Sequence, residues 1–149
     1  MVRCKSTTRF SSIKDIVILT QTDTTVGFLS QNAKRLFEIK QRDTSKPFIK
    51  VYKDFTTLKK HKHRIPQNQK NLVRRSKKTT FIVKNKAFRV TKCVLPWCYS
   101  TSANQSGKKF DFAFCEEKAD IIIEDKNGLK EKTSSILLKI NNSKKRRLR

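Results

Sequence analysis

The apolar positions of this chain fall into short runs separated by polar and basic stretches, and the runs change period along the sequence. Ile16-Val17-Ile18-Leu19 is continuous and sits inside a segment, 13–20, that predicts a buried strand. The Thr-rich segment 20–25 then leaves the sheet, and Gly27 predicts a close turn. From Asn32, an N-cap residue, the spacing of Leu36, Phe37 and Ile39 predicts a helix with Leu36, Ile39 and Lys40 near one another on one face. Pro47 blocks its continuation, and 48–52 reads as a strand.

Further on, Asp54 predicts the cap of a second helix carrying Phe55 and Leu58. A third helix is expected over 67–75, with Leu72 and Val73 inward. Residues 80–83 and 87–90 predict strands joined by a tight hairpin at Lys84-Asn85-Lys86. Residues 96–99 form an apolar run feeding a polar loop. Phe110 to Cys115 reads as a helical patch. Ile121-Ile122-Ile123 and Ile136-Leu137-Leu138 read as strands, with Asn127-Gly128 as turn chemistry between them. Helices alternating with strands and hairpins predict an α/β, mixed α+β sheet. The length, 149 residues, predicts one domain over 1–140 and a mobile basic tail over 141–149.

Charge changes the picture. Thirty-six Lys and Arg face 12 Asp and Glu, a net charge of +24. Its placement is uneven: residues 53–92 contain one acid, Asp54, whereas half of all the acids lie between Glu116 and Glu131. Such a chain is expected to meet a polyanion, most simply RNA or DNA. No apolar run is long enough to span a membrane, and the first residues carry no apolar signal region, so a cytosolic location without membrane partners is expected. The four cysteines, at 4, 93, 98 and 115, are then expected to be reduced. They form no CxxC pair, and His61 and His63 lie in a Lys-rich stretch, so no metal site is expected.

Two polar motifs carry candidate chemistry. One is Lys40-Gln41-Arg42 with Lys46-Pro47 following; the other is Ser100-Thr101-Ser102-Ala103-Asn104-Gln105-Ser106-Gly107, of which 102–107 is the most specific piece. Cations offset phosphate charge, and small donors let backbone and oxygen approach closely. Taken with Thr22-Asp23-Thr24-Thr25-Val26-Gly27, Phe88-Arg89-Val90 and Thr133-Ser134-Ser135-Ile136, they make five pieces in order. This set resembles the YrdC-type family, whose members make threonylcarbamoyl-adenylate for tRNA modification. The resemblance runs from about Ile16 to Ile140. It departs at Val26, where an aromatic is usual, at Val51, where many members have His, and over 75–80, where only Thr80 of a Trp-Pro-Gly-Pro-x-Thr stretch is kept. The segment between Arg89 and Ser102 is also shorter than usual.

The resemblance implies a YrdC-like twisted open mixed sheet flanked by helices, with a concave basic face. It implies an L-threonylcarbamoyladenylate synthase acting on L-threonine, bicarbonate and ATP, with Mg²⁺ carried by the phosphates and no tightly bound cofactor. Lys40 and Arg42 are its implied catalytic residues. Lys40, Arg42, Lys46, Ser102, Asn104 and Ser134 are its implied ATP contacts, the helix exit and the serine–asparagine turn gripping one triphosphate from opposite sides. Thr22, Thr24, Thr80 and Arg89 are its implied threonine contacts. Implied partners are tRNA or double-stranded RNA and the proteins that transfer the threonylcarbamoyl group to tRNA. The alternative is a non-catalytic double-stranded RNA- or tRNA-binding protein that keeps the fold.

Overall fold

The computed structural model describes residues 1–4, 12–61 and 64–149. The chain forms two compact units, each assembled from two stretches of sequence: 1–48 with 99–133, and 49–98 with 134–149.

In the first unit the strands are β1 (Val2–Cys4), β2 (Ile18–Gln21), β3 (Val26–Ser30), β7 (Trp97–Ser102, from Tyr99 onward) and β8 (Ile121–Ile123). Their order is β1-β8-β2-β3-β7. The β2–β8 pair is parallel and the other pairs are antiparallel. The helices are α1 (Ala33–Lys40) and α4 (Phe112–Lys118). Asn32 caps α1 through its side-chain oxygen, which accepts from the Lys34 N–H at 3.0 Å. Asp111 caps α4 in the same way. Leu36 and Ile39 bury against Val17, Leu19, Val26 and Phe28 from the strands and their flanks, and Cys115 and Ala119 join that core from the α4 side.

An ion pair ties α1 down. Asp120, only 6% exposed, accepts from the Val17 N–H at 2.8 Å and pairs with the Arg35 guanidinium at 2.6 Å. A carboxylate this buried keeps its charge only where such donors replace water. The end of α1, where Lys40 sits, is thereby positioned over the sheet.

The second unit holds β4 (Ile49–Tyr52), β5 (Thr79–Val83), β6 (Lys86–Val90), β9 (Ile136–Ile140) and β10 (Lys145–Arg147), ordered β4-β6-β5-β9-β10. β4–β6 and β5–β9 are parallel. Its helices are α2 (Phe55–Lys60), capped by Asp54, and α3 (Lys70–Arg75), preceded by a 3-10 turn over Gln67–Gln69. Tyr52, Leu58, Val73, Phe81 and Phe88 form its core. The β5–β6 hairpin turns at Lys84 (φ 48°) and Asn85 (φ 63°), the two left-handed residues of a type I′ turn.

Three expectations change. Residues Ile13–Asp15 form a 3-10 turn rather than the start of the first strand, because Ser12 caps them through its side chain. Gly27 lies inside β3, a strand buried along its whole length, and not in a turn. What its position requires is space: a Cβ there would lie 3.0 Å from the Thr101 carbonyl oxygen and 3.2 Å from Thr22 Cγ2. Residues 145–147 are not a loose tail; they pair antiparallel with β9 while remaining exposed.

Replacing Gly27 with Ala forces the new methyl against the Thr101 backbone carbonyl, which cannot step aside as a flexible side chain would. The expected cost is about 1–3 kcal/mol, read as a lower urea midpoint at unchanged slope.

Candidate functional site

The site grows from the last turn of α1. Leu36, Ile39 and Lys40 occupy its inward face, so Lys40 is carried to 3% exposure by the same packing that buries its neighbours. A cation at a helix C-terminus suits the dipole there. Its ammonium, with three protons to place, donates to Asn104 O at 2.7 Å, Asn104 Oδ1 at 2.8 Å and Ser102 O at 2.9 Å. Ser102 Oγ stands 3.4 Å away and itself donates to Asn104 Oδ1 at 2.7 Å. The two sequence motifs meet directly, through hydrogen bonds, within the first unit.

The turn that receives Lys40 is held from several sides. The Ala103 N–H donates to Val26 O at 3.0 Å, and the Cys115 thiol donates to Ala103 O at 3.2 Å. Asn104 Nδ2 donates to the Gln105 and Lys108 carbonyls. The Ser106 N–H reaches the Lys40 carbonyl at 3.4 Å, and Gln105 Nε2 donates to Gln41 Oε1 at 3.0 Å. Burial and the Arg42 charge push the Lys40 ammonium down to about 8. Burial likewise pushes the Cys115 thiol up to about 11, keeping it a donor.

Gln41 ends α1 in the left-handed conformation, φ 48°. A non-glycine residue there costs about 1 kcal/mol. The reversal sends Arg42 back over the Phe48 ring, 5.6 Å from its centroid, and Phe48 is itself buried against Phe37. Arg42 is half-buried and Lys46 exposed in the turn that follows. The Asp43 carboxylate organises that turn by accepting from the Ser45 N–H at 2.9 Å.

Thr22 and Thr24 sit in the β2–β3 connection. The Thr22 hydroxyl accepts from the Thr24 and Thr25 N–H groups and donates to Thr25 O at 2.6 Å. Thr24 is buried, its hydroxyl 3.3 Å from that of Thr22. Gly27, against which Thr22 packs, is the pairing partner of Ser102. Val26 is a core residue, 1% exposed.

Thr80, Arg89 and Ser134 belong to the second unit. Thr80 is fully buried on β5, and Arg89 is 6% exposed on β6 beside Val51. Ser134 is exposed; its neighbour Ser135 is buried, with its hydroxyl 2.8 Å from that of Thr80. Sequence reasoning did not single out Ser135 or Cys115. Their contacts are 55 and 12 residues distant along the chain, so no local pattern marks them. His63 lies outside the described residues.

With this geometry in view, the chain can be compared with known proteins. Its fold is that of Sua5 and of a portion of HypF. It superposes on the H234A/Y235A variant of P. abyssi Sua5 with a TM-score of 0.72 at 20% identity, over 92% of this chain and 53% of that one. It superposes on P. abyssi Sua5 complexed with L-threonine with a TM-score of 0.70 at 21% identity, over 92% and 51%. Full-length HypF in the phosphate- and nucleotide-bound form gives 0.72 at 14% identity, over 100% and 25%. The chain thus spans about half the length of the Sua5 structures. No curated protein matches it significantly in sequence. The Sua5/YciO/YrdC family profile, described as telomere recombination, matches residues 13–97. The chain belongs to that family.

The depressed Lys40 ammonium makes a testable contribution to stability. A lysine at about 8 when folded and roughly 10.4 when unfolded leaves the unfolded chain holding more protons between those values. Its contribution therefore grows as pH rises through that window and is lost as pH falls through 8. Urea titrations at pH 7.5 and 10 (about half a unit below and two above the folded value) should show this increment in the natural chain and not in Lys40→Met.

Proposed function

We propose that this chain is an L-threonylcarbamoyladenylate synthase. It joins L-threonine, bicarbonate and ATP into threonylcarbamoyl-AMP and pyrophosphate for the N6-threonylcarbamoyladenosine modification of tRNA. The observation that carries the reading is the seating of Lys40 on the Ser102–Asn104 turn. It joins the two motifs that the family resemblance singled out. Family membership supports the reading, as do the likenesses to Sua5 and HypF.

In this reading Lys40 acts chiefly by shaping the turn. Its protons are already held by protein oxygens, so its charge reaches substrate through the geometry of Ser102 and Asn104. Arg42 and Lys46, closer to water, take the phosphates: Arg as a planar fork, Lys as a point charge. ATP brings Mg²⁺ as part of the substrate. Ser102, Asn104 and the N–H groups of Gln105 and Gly107 are assigned to the nucleotide or carbamoyl oxygens. Thr22 and Thr24, in the first unit, are assigned to threonine. Attack of the carboxylated threonine amine on the α-phosphate builds charge on phosphoryl oxygens, so positioning and preorganised donors supply the catalysis. The product passes to a threonylcarbamoyl-transferring partner and then to tRNA.

The expected result is pyrophosphate release from ATP that needs both threonine and bicarbonate. Arg42→Ala and Asn104→Ala should each lower it about 10²-fold. Unchanged release in both variants would remove the assigned roles, and no threonine dependence would remove the synthase reading.

A second reading, RNA binding without catalysis, draws on the net charge of +24 and on Lys139 and Lys145–Arg147, exposed on adjacent strands. Its expected signature is affinity for double-stranded RNA or tRNA that falls by orders of magnitude as salt rises from about 50 to 200 mM. Salt-independent binding would exclude it.

A further inference from the structure

We propose that Cys93 and Cys98 form a peroxide-oxidised, reversible disulfide in the second unit, a modification site separate from the residues assigned to the synthase. Cys93 lies in the connection after β6, and Cys98 is the second residue of β7. Their sulfurs are 3.4 Å apart as thiols. A bond needs about 2.05 Å, so closure asks for a movement of little more than an ångström. The connection can supply it: Val94 is 55% exposed.

The two thiols differ in the way such a site requires. Cys93 is half-buried, whereas Cys98 is fully buried, so an oxidant in water meets Cys93 first. Contact with the Cys98 thiol and the N–H groups of Leu95 and Val94 pulls the Cys93 thiol down to about 7 against the opposing effect of burial. The Cys98 thiol is pushed well up by Cys93 and by burial, and it waits as the protonated partner.

The chemistry has two steps. The Cys93 thiolate attacks a hydroperoxide; an S–O bond forms, the O–O bond breaks, and the peroxide leaves as alkoxide or hydroxide. Sulfur is oxidised by two electrons to the sulfenic acid. Cys98 sulfur then attacks Cys93 sulfur. The S–S bond forms, the S–O bond breaks, and hydroxide departs with the Cys98 proton as water. A dithiol reductant restores both thiols by exchange. Transient pairs of this kind are the disulfides that reducing compartments tolerate.

The site carries its own reporter. Trp97, the only tryptophan, adjoins Cys98; its ring centroid lies 4.2 Å from the Lys50 ammonium and 5.7 Å from the His61 ring. The neighbouring Pro96 carbonyl holds the Lys53 N–H at 3.0 Å. Closure of 93–98 must shift these contacts.

The test treats the full chain, with the exposed Cys4 replaced by Ser, with hydrogen peroxide. Thiol count, Trp97 emission and the mass of tryptic peptide 93–108 are then followed. The expected result is loss of two thiols, a peptide lighter by two hydrogens, and an emission change that dithiothreitol reverses. Cys98→Ser should stop at a Cys93 sulfenic acid captured by dimedone, and in Cys93→Ser the remaining thiols should persist. An unoxidised pair, oxidation beginning at Cys98 in Cys93→Ser, or conversion of Cys93 to sulfinic acid with Cys98 present would each overturn the proposal.

Discussion

A buried ammonium must find an oxygen for every proton it carries, and that requirement organises the first unit. Removing such an ion from water costs several kcal/mol. Hydrogen bonds to a charged group return about 1.5–3 kcal/mol each, and the fall of the Lys40 ammonium to about 8 means that they offset the loss only in part. Lys40 finds its acceptors because the chain at 102–104 folds to present two backbone carbonyls and a side-chain amide oxygen together. The helix end and the turn therefore specify one another.

The surrounding structure keeps those partners in register. The Asp120–Arg35 pair and the Val17 N–H hold α1 against the sheet, while the Cys115 thiol and the Val26 carbonyl hold Ala103 from other sides. Gly27 lets the Thr22–Thr25 connection lie close to β7, since any side chain would strike the Thr101 carbonyl. Lys40 is thus a cation used inward, and the cations left toward water are Arg42, steadied by Phe48, and Lys46.

Much of the fold could be read locally. The caps at Asn32 and Asp54 start helices because their side chains satisfy otherwise orphaned N–H groups a residue or two into the helix. The Lys84-Asn85 turn follows from the left-handed tolerance of asparagine and the short gap, Lys84 to Lys86, between apolar runs. Strand β3 escaped notice because it is buried on both sides. It shows no alternation, and its glycine resembles punctuation. β1 and β10 escaped because short, exposed triplets become strands only when a partner edge is present to pair with.

The sequence by itself determined the helix and strand periods, the caps, the excess of positive charge and the identity of the two polar motifs. Each of these rests on neighbours within a few residues or on simple composition. Only the tertiary structure decided that Lys40 turns inward onto Ser102 and Asn104, and that Ser135 rather than Ser134 meets Thr80. It also decided that Cys93 and Cys98 touch at their sulfurs. Those outcomes depend on where distant backbone segments run once the apolar surfaces are buried, and a linear pattern carries no measure of that distance.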